Sequence, residues 1–111
     1  MTLTQVIDKL NLKVLAGSAG LDREVSGGYT SDLLSDVMAN SKQGQVWITL
    51  QSHVNVVAVA TLRELAAIIL VGGRKAAPET LQKAEEEGLP ILQTETPAFE
   101  LSARLYGLLN G

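Results

Sequence analysis

Apolar positions along the chain change their spacing in a way that sorts it into short helices and strands. Leu3, Val6, Ile7 and Leu10 recur at helical intervals, and Thr2 followed by Gln5 fits a capping box, so residues 3–10 are predicted helical with Asn11 as the stop. Leu12 to Leu15 reads as a short strand closed by the small residues Ala16 to Gly20. Residues 23–29 are expected to be extended with an irregular exit at Gly27-Gly28. Thr30 or Ser31 can cap a second helix that places Leu33, Leu34, Val37 and Met38 on one stripe. Asp32, Ser35, Asp36 and Asn40 would then face water, with Asp32 at the positive end of the helix dipole.

The β-branched and aromatic run Gln45 to Leu50 predicts a strand. His53 to Leu65 is the one conflict, since its four valines favour strand while its length, alanines and leucines favour a buried helix. Helix is the better reading, over 53–64 with Ser52 as cap. Ala66 to Val71 reads as a strand buried on both faces, and parallel strands need a crossover of about a dozen residues. Pro78 at a first turn, a Glu79–Lys83 pair and Gly88 as stop predict a helix over 78–87. Pro90 to Gln93 predicts a last strand. A final helix begins at Thr96-Pro97, with Ala98, Leu101, Leu105 and Leu108 in line, flanked by Phe99, Tyr106 and Leu109. The second half is therefore β-α-β-α-β-α. It predicts an α/β fold with a three-layer, mostly parallel sheet, the first half adding strands at one edge.

Composition narrows the class of activity more than it names one. The 111 residues predict a single domain spanning 1–111, a length that argues against a two-lobed enzyme. Apolar residues make up 46% and charged residues 19%, which excludes a disordered chain. The absence of cysteine removes disulfides, thiol nucleophiles and thiolate-ligated zinc. Nine basic against twelve acidic residues, a formal charge of −3, argue against a nucleic-acid binder. The N-terminus lacks a basic signal-peptide region, and the run Leu65 to Val71 is too short to span a bilayer, so a cytoplasmic protein without membrane contact is expected.

Open parallel sheets gather ligand contacts at the carboxyl ends of their strands. That rule selects Gln51, His53 and Asn55 after the Trp47 strand, Gly72, Gly73 and Arg74 after the buried strand, and Thr94 after the last one. Gly27, Gly28, Tyr29 and Ser31 join them as permissive backbone and hydroxyls ahead of a helix. Glycine N–H groups and an arginine fork suit a phosphate, while a tight turn with solvated cations explains Gly72 to Lys75 equally simply. His53 is the only histidine. No metal-ligand spacing accompanies it, no nucleotide-binding glycine motif or nucleophile elbow occurs, and Glu85 to Glu87 reads as a solvated helix face. No catalytic residue, metal or cofactor is assigned on these grounds.

The blocks Val25 to Met38, Val46 to Asn55 and Ile68 to Gly73 together resemble the DRTGG domain family across nearly the whole chain. The string that names the family is absent, with Asp22-Arg23 and Gly27-Gly28 as scattered counterparts. The resemblance implies a fold like the N-terminal domain of HPr kinase/phosphorylase, which is similar to that of Mur ligases. It also implies a regulatory or dimer-forming module of the kind found in phosphotransacetylases and beside CBS domains in regulated pyrophosphatases. The kinase P-loop has no counterpart here, so kinase activity does not transfer. The implied role is a non-catalytic, cytoplasmic, homodimeric regulatory module acting through a small anionic ligand or a protein partner. The alternatives are a sensor for a nucleotide or other small anionic ligand, or a small enzyme using His53.

Overall fold

A computed structural model describes residues 1–111. In chain order the elements are α1 (Leu3–Leu10), β1 (Lys13–Ala16), a short 3-10 turn (Ser18–Gly20), β2 (Gly27–Thr30), α2 (Leu34–Asn40) and β3 (Gln45–Thr49). There follow α3 (Asn55–Leu62), β4 (Ala67–Leu70), α4 (Pro78–Glu87), β5 (Ile91–Gln93) and α5 (Ala98–Asn110). The five strands form one sheet in the order β1-β5-β4-β3-β2. β2 through β5 are parallel and β1 runs antiparallel along β5. The α/β, three-layer, mostly parallel arrangement is the one expected. The two strands of the first half, however, lie at opposite edges rather than together, because β1 returns beside β5 while β2 pairs with β3.

Strand alternation divides the core in two. Val46, Ile48, Ala67, Ile69 and Leu92 pack with Leu3 and Val6 of α1 and Leu101 and Leu105 of α5. Trp47, Ile68, Leu70 and Ile91 pack on the other face with Val37 of α2, Val56, Val57, Val59 and Ala60 of α3, and Ala84 of α4. β4 is buried on both faces, as a central parallel strand requires.

The valine-rich stretch is helical because burial outweighs propensity. A valine costs at most about 0.7 kcal/mol against alanine in a helix, whereas burying its side chain is worth about 1.5–3 kcal/mol. Val56, Val57 and Val59 are all buried. The helix is shorter than the expected 53–64 and begins after Val54; Ser52 does not cap it, its carbonyl instead accepting the Thr80 hydroxyl at 2.9 Å.

The α1 capping box forms as read from the sequence, and Asn11 ends the helix with φ at 54°. Other local expectations fail for tertiary reasons. Leu33 stands outside the buried stripe, 63% exposed, since α2 begins only at Leu34. Lys83 pairs with Glu86 and Glu87 rather than Glu79. Glu85 is not merely solvated, because its carboxylate accepts the Gly17 N–H at 2.9 Å. The extended stretch read over 23–29 is an isolated bridge from Glu24 to Thr2, followed by strand only from Gly27.

Candidate functional site

The carboxyl ends of β2, β3, β4 and β5 form one rim, and the loops singled out from sequence leave from it. Most of their polar groups bond to one another. The Asp32 carboxylate accepts the Thr49 hydroxyl at 2.9 Å and the Leu50 N–H at 2.7 Å, so while exposed, as expected, it also braces the end of β3. Gln51 donates its side-chain amide to the Asp32 carbonyl at 2.9 Å, and its N–H goes to the Thr49 hydroxyl at 3.0 Å. The indole N–H of the fully buried Trp47 reaches the Ser31 carbonyl at 2.8 Å, and the Ser31 hydroxyl accepts the Leu33 N–H.

His53 is exposed and its Nδ1 accepts the Asn55 N–H at 3.2 Å, which is a helix-start role. Gly72 and Gly73 both have left-handed backbone, φ 63° and 72°, as a tight turn demands. Their N–H groups donate to the carbonyls of Thr96 and Thr94 at 3.0 and 2.9 Å, so the turn is sewn to the end of β5 rather than open to an anion. The Glu95 carboxylate lies against Gly73, where a Cβ would come within 2.3 Å of Oε2. Gln93 donates to the Arg74 carbonyl at 2.6 Å. The Thr94 hydroxyl accepts the Thr96 N–H at 3.1 Å.

Gly27 and Gly28 do not join this rim. They open β2, and register sets Gly28 level with Val46 and Ala67. Gly72 lies five residues further along, about 16 Å at roughly 3.3 Å per residue. The reason for glycine here is packing, since a Cβ at Gly28 would stand 2.9 Å from Leu105 Cδ2 of α5. Tyr29, on the opposite face, donates its hydroxyl to both oxygens of Asp36 at 2.9 Å, and Asn40 donates to the same carboxylate. The Ser31 hydroxyl, the Asn40 amide and the Tyr29 hydroxyl hold the Asp36 carboxyl below the usual carboxylate range. The Tyr29 phenol is raised above its ordinary value by its bond to Asp36, by burial and by that residue's charge. Asp36, read as water-facing, is half-buried and fastens α2 to β2, while Asn40 is exposed as expected and steadies the Asp36 carboxylate from its own helix.

Two clefts involve residues that the sequence reading passed over. One, of about 520 Å³, runs between β2 and α5 and is lined by Gly27, Gly28, Thr30, Ile48, Phe99 and Tyr106 among others. Phe99 and Tyr106 are 81% and 71% exposed, and Thr30 and Ser102 share a hydroxyl bond of 2.8 Å across it. Both aromatics flank the apolar stripe of α5 in the sequence, and their position off that stripe is the signal for an exposed apolar surface. The other cleft, of about 380 Å³, lies at the carboxyl end of β5 between Asn11, Lys13, Thr94, Glu95, Thr96 and Arg104. Its basic residues are far apart in sequence, and only the antiparallel return of β1 brings them near. No group of acidic, histidine or cysteine side chains is placed to hold a metal ion.

No curated protein matches the sequence. Among solved structures, the chain is similar to the CBS and DRTGG domains of the regulatory region of Clostridium perfringens pyrophosphatase, complexed with the activator diadenosine tetraphosphate. The TM-score is 0.74 at 13% identity, over 95% of this chain and 46% of that one. The likeness establishes the fold, and the chain spans just under half of that neighbour's length. The DRTGG domain model matches residues 5–108, and within that span Arg23 holds the fold, bonding the carbonyls of Leu65, Ala66 and Gly88. The chain belongs to the DRTGG domain family.

Proposed function

We propose that this domain is a non-catalytic regulatory module that assembles as a homodimer through the β2 edge and α5. The observation that carries the reading is the pair of exposed aromatics, Phe99 and Tyr106, standing beside a cleft whose floor is an edge strand. β2 is paired on one side only, so alternate backbone N–H and C=O groups along its outer edge are free to bond a second strand. A two-fold axis beside β2 would pair two such edges and set the two copies of α5 face to face. Four aromatic rings buried across it would remove on the order of 600 Å². That is about half of the roughly 1,200 Å² a specific interface needs, leaving the strand edges and the cleft's aliphatic lining to supply the remainder.

The regulatory part of the reading is supported by family membership and by the neighbour, whose DRTGG domain stands in a regulatory region. The non-catalytic part is supported by the rim, where the lone histidine begins a helix and the glycine N–H groups are committed to β5.

Light scattering tests assembly. The expected mass at micromolar concentration is twice the 11.8 kDa of the chain, and Phe99→Glu is expected to give a folded monomer, since the side chain is exposed. A monomer mass for the unaltered protein, or a Phe99→Glu variant as dimeric as the parent, overturns the reading.

A further inference from the structure

We infer that the cleft over the carboxyl end of β5 binds the phosphate group of a small phosphorylated ligand, held by Lys13, Arg104 and the side chains of Asn11 and Thr96. This goes beyond the assembly reading and does not rest on it, because the cleft lies at the β1–β5 side of the sheet, opposite β2.

The argument begins with what is uncommitted. The ion pairs of the fold join Met1 to Glu24 and Lys83 to Glu86 and Glu87, so neither Lys13 nor Arg104 has a carboxylate at ion-pair distance. No side-chain hydrogen bond within the protein engages Asn11, Lys13, Arg104 or the Thr96 hydroxyl, although all four residues line the cleft. This is the reverse of the rim at β3 and β4, where Gln51 bonds the Asp32 carbonyl and the Gly72 and Gly73 N–H groups are taken by the carbonyls of Thr96 and Thr94. An anion arriving there would have to break internal bonds, whereas here it displaces only water.

Chemistry selects phosphate. Two cations from different elements, β1 and α5, flank an amide and a hydroxyl, a donor-rich set suited to a doubly charged tetrahedral group. The chain as a whole carries −3, so its overall field does not favour anions and any binding must come from this local cluster. A volume of about 380 Å³ is of small-molecule size. Glu95 also lines the cleft, but its carboxylate is drawn toward Gly73. Its charge opposes an anion and so limits affinity.

The test is an amide-resolved NMR titration of the intact chain with inorganic phosphate and pyrophosphate, against sodium chloride of equal ionic strength. Saturable shifts are expected at Asn11, Lys13, Thr94 to Thr96 and Arg104, larger for pyrophosphate. Arg104→Ala and Lys13→Ala, both at exposed positions, should each weaken binding about tenfold, and Glu95→Gln should tighten it severalfold. Shifts that chloride reproduces, that survive both cation variants, or that centre on residues 51–55 overturn the inference.

Discussion

Asp32 decides between two accounts of how the β2–α2 connection is held, and the accounts differ in magnitude. As a charge near the start of α2, Asp32 would contribute about 0.3–1 kcal/mol, screened by salt. As the acceptor of the Thr49 hydroxyl and the Leu50 N–H, it makes two charge-assisted bonds, each worth about 1.5–3 kcal/mol when desolvated. Asp32 itself is exposed, so water can rescue Leu50, while the Thr49 side is buried and is not easily rescued. The expected loss for Asp32→Ala is therefore about 2 kcal/mol, set mainly by the Thr49 hydroxyl proton left without an acceptor while its oxygen keeps the Gln51 N–H, or about 8 °C in Tm for a domain of this size. Urea unfolding followed by the fluorescence of Trp47, whose indole bonds the adjacent Ser31 carbonyl, reads this loss at the place where it arises. A double-mutant cycle with Thr49→Val should recover about 1.5 kcal/mol of coupling, and the loss should persist in high salt. A loss under about 0.5 kcal/mol that salt abolishes, with no coupling to Thr49, would refute the bracing account and restore the dipole one.

Three further outcomes follow from other hydrogen bonds of the fold. Arg23→Lys should cost about 2 kcal/mol in urea unfolding, because an ammonium can satisfy only part of the three carbonyls of Leu65, Ala66 and Gly88 that the guanidinium fork spans; a neutral substitution would show that the fork is dispensable. Asp36 has a lowered folded pKa, so its contribution is present above the unfolded carboxylate value and lost as pH falls through the folded one. Tyr29, with a raised pKa, contributes below the ordinary phenol value and loses that contribution as pH rises through the folded one. The stability gap between the parent and Asp36→Ala should thus close in strong acid, and that between the parent and Tyr29→Phe should close in strong alkali. A gap unchanged across both limbs would contradict the Tyr29–Asp36 bond.

The local sequence determined most of the elements. The Thr2–Gln5 box, Asn11, Pro78 and Gly88 act on neighbours within one or two turns, and such signals are complete in the sequence itself. The run Ala67 to Leu70 named its own place at the centre, since only a strand covered on both faces tolerates four apolar residues in succession. The β-α-β-α-β-α order of the second half then restricted the fold to a layered parallel sheet.

Tertiary structure decided the rest. Nothing local to Leu12 through Ala16 says that β1 returns beside β5, yet that placement puts Lys13 and Arg104 around one cleft. Gly27-Gly28 reads as an irregular exit until α5 is laid over it, when the Leu105 side chain lies so close to Gly28 that a Cβ there would have to displace it. The donors of Gly72, Gly73 and Gln51 look free in a one-dimensional reading because their acceptors, Thr96, Thr94 and Asp32, lie 19 to 24 residues away. A hydrogen bond needs its partner within about 3 Å, and which polar groups are left for a ligand is settled only after the chain has used its own.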